Sequence, residues 1–233
     1  MARVLQKSNG LPIDHFALGV PDTEKGAADL ERLTGAKVYL LPPEPGQWYR
    51  SAGLRLGEDC ALEILGPNPA WTKFHPLHRL VSRLEQPEIL FWYVSTDDFD
   101  GMIKTAKAAG APMERIERIN QEDNPALSRY DRGVLGPGFV SQRPCVIEWK
   151  RRNLSNTDEP VCSLKAFELS HPKPEPFNAL FQALGISISV ASGRSQLTAK
   201  LATPNGEVLL KGNGLSFRGL SGLVKILGLW LGR

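Results

Sequence analysis

The sequence predicts an α+β protein of tandem βαβββ modules whose curved sheets form a cavity, with a third, partial module behind them. Three observations lead there. A strand, a polar cap, a helix and a closing glycine follow one another three times. The copies are evenly spaced, with 74 residues from Val20 to Val94 and 76 from Val94 to Ser170. Short β-prone runs separated by turn residues follow each helix.

In the first copy, IDHFALGV is apolar and β-prone, and Pro21-Asp22 stops it. Asp22 or Thr23 can cap a helix with apolar positions Ala27, Leu30 and Leu33, and Gly35 ends it by taking the left-handed conformation cheaply. Strand runs are expected at 36–41, 47–56 and 60–65. In the second copy a strand through Val94 meets Ser95-Thr96-Asp97-Asp98, and a helix through Met102 and Ala106 closes at Gly110. Runs at 113–119, 128–135 and 144–150 follow. The third strand ends near Ser170, prolines occupy the turn and first helical positions, and Phe177, Leu180, Phe181 and Leu184 form a stripe closed by Gly185. Its later runs are 186–190, 196–203 and 207–211, with Pro204-Asn205-Gly206 as a hairpin turn. One sheet with one helix leaves a face to bury, and two modules can bury theirs jointly. The expected units are therefore a paired domain over 11–150, an accessory module over 163–211 and an apolar, basic tail over 212–233.

Composition narrows the function. Hydrophobic residues make up 42% and charged residues 23% of the 233, which excludes long disorder. A net charge of +3 gives no bulk signal for nucleic acid, so none is expected as a partner. Three scattered cysteines read as free thiols in a reducing compartment. No apolar leader or spanning run is present, and a cytoplasmic location is expected.

Two βαβββ modules opened by IDHFALGVPDTEKGAADLERLTGA, with LRLGEDCALEILGPNP and RPCVIEWK at 54–69 and 143–150, resemble the vicinal oxygen chelate superfamily. LSHPKPEPFNALFQALGI and LTAKLATPNGEVLL fit the third module often found in its glyoxalase-like branch, which the chain resembles most. The resemblance covers about residues 11–211, matching poorly at 66–88 and 111–142. It implies the glyoxalase/bleomycin-resistance-like fold and a small oxygen-bearing ligand. Fold alone does not fix a reaction, and the superfamily hosts lyases, isomerases, dioxygenases and binding proteins. Two readings therefore stand side by side: a metal-assisted lyase, isomerase or dioxygenase, and a binding or sequestering protein without the metal.

The same resemblance implies metal ligands on the first and last strand of each module. They fall on His15, Glu63 and Glu148, with Ile89, which cannot ligate, at the fourth position. One imidazole and two carboxylates suit Zn²⁺, Mn²⁺, Fe²⁺ or Mg²⁺, and Glu148 would be the catalytic carboxylate that moves a proton. Arg50 is set to bind a substrate carboxylate or to replace the metal's charge. Trp48, Tyr49, Trp92 and Trp149 either line the ligand site or belong to the sheet core. His75 and His78, separated by Pro76, read as a surface pair. In the tail, Arg218, Ser221 and Lys225 share one helical face. That profile fits an interfacial helix contacting a membrane or partner, or a loose tail packed on the body or on a second copy in a homodimer.

Overall fold

A computed structural model describes residues 10–42, 47–117, 129–136, 139–151 and 161–217. The tail segment 218–233, with its expected membrane or partner contact, lies outside the described residues. No helix among the described residues is long and apolar enough to cross a membrane.

The first module runs β1 (Ile13–Gly19), α1 (Thr23–Thr34), β2 (Tyr39–Leu40), β3 (Tyr49–Arg55) and β4 (Ala61–Pro67). A short helix, α2 (Pro76–Val81), leads to the second module. That module comprises β5 (Glu88–Ser95), α3 (Phe99–Ala108), β6 (Met113–Glu117), β7 (Arg129–Leu135), β8 (Phe139–Val140) and β9 (Cys145–Arg151). The caps form as their chemistry dictates. Asp22 accepts from the Lys25 amide at 2.8 Å, and Asp98 accepts from the Gly101 amide at 2.8 Å. Gly35, Gly110 and Gly185, the three closing glycines, all have φ near +70°.

The two modules form one continuous sheet in the order β2-β3-β4-β1-β5-β9-β7-β6. The first strands, β1 and β5, meet antiparallel at the centre with Phe16 opposite Trp92. From that seam each half runs outward in the same sequence: first strand, last strand, then the two earlier strands in reverse. The outer face is covered by α1 over one half and α3 over the other, burying Ala27, Leu30, Phe99, Met102 and Ala106.

The third unit reads like the others in sequence but is wired differently. It consists of β10 (Ser163–His171), α4 (Glu175–Leu184), β11 (Val190–Ser192), β12 (Gln196–Thr203) and β13 (Gly206–Gly212), in the order β11-β10-β12-β13. Its first strand therefore lies beside β12 rather than beside the last strand. A short β14 (Ser216–Phe217) pairs with β8. This unit covers the central seam: Phe167 packs on Phe16 and Trp92, and Phe181 meets Trp92 edge-on. Its hairpin turn docks on the end of α1, where the Asn205 side chain donates to the Arg32 carbonyl and its amide to the Thr34 carbonyl. Those are orphan carbonyls of the last helical turn, satisfied by a residue over 170 positions away.

Candidate functional site

The sheet face opposite α1 and α3, here the inner face, carries the chemistry. Strand alternation places His15 and Ala17 of β1, Glu63 and Leu65 of β4, and Phe91 and Tyr93 of β5 on it. From β9 come Cys145, Ile147 and Trp149, paired in register with Val134, Arg132 and Tyr130 of β7.

His15 is the best-defined group. Its Nδ1 lies 2.6 Å from Asp14 Oδ1, and its ring stacks on Tyr93 at 4.1 Å. Asp14 is buried, and its second oxygen accepts from Trp149 Nε1 at 2.8 Å, joining the two modules. A carboxylate only accepts hydrogen bonds, so the Nδ1 proton is fixed on the Asp14 side. Nε2 then faces Glu63 Oε2 at 3.9 Å, too far for a hydrogen bond. The imidazole is oriented through one nitrogen and open to a ligand through the other.

Of the residues singled out from sequence, the structure brings His15 and Glu63 together and leaves Glu148 on the outer face. Glu148 shares its side of β9 with Val146, as strand parity requires, but that side packs under α3. Its carboxylate accepts from the Phe99 amide at 3.3 Å, at the start of α3, and pairs with Lys150. The expected convergence of His15, Glu63 and Glu148 is thereby corrected. Glu148→Gln should cost about 0.5–1.5 kcal/mol of unfolding free energy in denaturant titrations, the range of a helix-start contact. Ligand binding on the inner face should be unchanged.

Arg50 is likewise on the outer face, paired with Glu24 of α1, and its own carbonyl accepts from Thr23 Oγ at 3.3 Å. It does not lie between the carboxylates. Ile89 is buried in the outer core. Trp92 is fully buried there too, donating through Nε1 to the Ser141 carbonyl at 3.1 Å, so it packs the seam and lines no site. Tyr49 and Trp149 do belong to the inner cluster. Trp48 joins them buried, stacked on His75 at 4.5 Å. His75 is no surface residue: 5% exposed, it is the N-cap of α2.

Sequence reasoning passed over Asp14, Tyr93, Tyr130 and Arg132. The signal for the last two was the alternation Tyr130, Arg132, Val134, visible only once β7 is set against β9. Burial pushes the Tyr93 phenol well above its ordinary value. Burial also pushes the Cys145 thiol up to about 12, against a partial lowering by Arg132 and Tyr93. Both groups are neutral and protonated at pH 7, and Cys145 is no nucleophile.

Among the described residues this face supplies fewer donors than a zinc or iron centre takes. Among the described residues, no three His, Cys, Asp or Glu side chains gather where they could hold one. His15 Nε2 and Glu63 Oε2 are two, Asp14 is engaged by His15 and Trp149, and zinc or iron centres take three or four protein ligands. The described donor set does not fit a resident zinc or iron centre.

A comparison with curated proteins gives no match. Solved structures do match. A triple mutant of 4-hydroxymandelate synthase from Streptomyces coelicolor superposes with a TM-score of 0.53 at 15% identity, over 95% of this chain and 75% of that one. A hypothetical protein from Staphylococcus aureus gives 0.52 at 9% identity, over 86% and 85%. Methylmalonyl-CoA epimerase from Mycobacterium tuberculosis gives 0.44 at 15% identity, over 64% and 94%. At these identities the likeness to the first two is one of fold. The family model described as a glyoxalase-like domain matches residues 13–185, which take in both modules and reach the end of α4. By its modules, its sheet order and that match, the chain belongs to the glyoxalase-like domain family of the vicinal oxygen chelate fold.

Proposed function

We propose that the inner face binds a small carbonyl compound and that His15 removes a proton from the carbon next to the carbonyl, as in an isomerase or lyase. The observation that carries this reading is the Asp14–His15 pair at 2.6 Å, with Nε2 turned toward the ligand face. In the step, the C–H bond breaks and its electrons move to the carbonyl oxygen as an enolate. The proton passes to Nε2. The imidazolium so formed is stabilised by Asp14 through Nδ1–H and by the Glu63 carboxylate across 3.9 Å. Stacking on Tyr93 fixes the ring plane, which reduces the reorganisation needed at transfer. With a hydroxyl on the deprotonated carbon, delivery of the Nε2 proton to the former carbonyl carbon and passage of the hydroxyl proton to the enolate oxygen complete an isomerisation; collapse of the enolate with expulsion of a β-leaving group, which takes the Nε2 proton, completes a lyase reaction.

The test is solvent exchange. Wild-type protein in deuterium oxide is incubated with pyruvate and, separately, dihydroxyacetone, and loss of the C–H signal is followed by proton NMR. Exchange above the buffer rate is expected for at least one compound, and His15→Gln should lower it about 100-fold or more. Wild-type exchange no faster than buffer with both compounds removes the proton-transfer reading. A second reading, binding without turnover, is favoured by the second module, whose β5 presents Phe91 and Tyr93 rather than a carboxylate or an imidazole. Saturable binding with no exchange is its signature.

A further inference from the structure

We propose that Arg132 on β7 is the anchor for a carboxylate group of the ligand, making the substrate class a small, planar monocarboxylate. This rests on the inner face being the ligand site and adds the chemistry of what is bound. The register sets Arg132 against Ile147 of β9, on the inner face, between the Tyr130–Trp149 pair and the Val134–Cys145 pair. Tyr130 shares its face of β7, and Tyr130, Tyr93 and Tyr49 are the tyrosines that act on the charge of the guanidinium. Tyr93 in turn stacks on His15, so the arginine and the imidazole approach one tyrosine from two sides.

Arg132 is half-buried, and among the described residues no carboxylate forms an ion pair with it. Arg115, its neighbour on the outer face of the sheet edge, has Asp100 and Asp131, and Arg50 has Glu24. The contrast matters because a cation drawn out of water is costly unless something anionic meets it. Burial opposes the charge of Arg132, but Tyr130, Tyr93, Tyr49 and Cys145 outweigh it and hold the guanidinium above its ordinary value. Burial holds the Tyr93 phenol and the Cys145 thiol in their neutral forms at pH 7. Among the described residues the guanidinium is therefore met by hydroxyls and aromatic rings rather than by a carboxylate.

A carboxylate answers that arrangement. It takes two parallel N–H donors from a guanidinium, and tyrosine hydroxyls can donate to its remaining lone pairs. The aromatic walls (Tyr49, Tyr93, Tyr130 and Trp149) favour a flat ligand body. One guanidinium balances one negative charge, which suits a monocarboxylate over a phosphate dianion.

Calorimetric titration of the full chain tests this with benzoate, its neutral isostere benzamide, and inorganic phosphate. The expected result is benzoate binding at least tenfold tighter than benzamide, with phosphate weaker than benzoate. Arg132→Gln should erase the preference for benzoate, and Arg132→Lys should retain part of it. Should Arg132→Gln fail to fold by circular dichroism, Arg132→Lys decides alone: a severalfold loss of benzoate affinity is expected from losing the two-pronged contact. Benzoate that does not bind, or binds no better than benzamide, overturns the proposal. An unchanged preference in the Arg132 variants, or phosphate binding as tightly as benzoate, does so too. Solvent exchange separates the two readings: a benzoate preference without exchange removes proton transfer and leaves the carboxylate anchor standing. Exchange of neutral dihydroxyacetone without any benzoate preference does the reverse.

Discussion

Asp14→Asn is expected to lower deuterium exchange by about 10²–10⁴-fold while leaving the protein folded, the range seen when an orienting carboxylate in a histidine-based site becomes an amide. Asp14 receives His15 Nδ1 at 2.6 Å and Trp149 Nε1 at 2.8 Å, one on each oxygen. An asparagine has one acceptor oxygen. The indole N–H is only a donor and claims that oxygen, so the amide N–H₂ faces Nδ1. The imidazole must then carry its proton on Nε2, the atom that has to accept from substrate. Volume is conserved and both contacts persist, so the loss should fall on turnover rather than on ligand affinity. NMR exchange rates set beside calorimetric binding make the distinction. A variant with wild-type exchange would show that His15 is not the base.

Trp92→Ala should destabilise the fold by about 3–5 kcal/mol, the range for removing a large aromatic side chain from a core. Trp92 is fully buried under Phe167 and Phe181 of the third unit, opposite Phe16 in the central seam. Truncation leaves a cavity where β1, β5 and the third unit meet, and it orphans the buried Ser141 carbonyl. Against a typical stability of about 5–15 kcal/mol that is a large fraction. Denaturant titration should show the midpoint falling accordingly. Trp92→Phe, which keeps most of the packing and loses the hydrogen bond, should cost about 1–3 kcal/mol. A ligand-lining tryptophan would behave in the opposite way, losing affinity at nearly constant stability.

The sequence by itself determined the units. Caps, closing glycines and strand alternation are local properties, and Asp22, Asp98, Gly35, Gly110 and Gly185 act where their chemistry places them. The even spacing of the copies conveyed the pairing of the first two modules. It did not convey the wiring of the third, because strand order depends on which edges remain free when the units pack. Strand parity puts Glu63 with Leu65 and Glu148 with Val146. Yet a period of two divides a strand into two faces without saying which is which, and both faces of this sheet carry buried apolar residues. Only the packing of α1, α3 and the third unit decided that Arg50, Trp92 and Glu148 lie outside while His15, Glu63 and Arg132 lie inside. Arg132 itself required the β7–β9 register, a non-local pairing that no run of residues encodes alone.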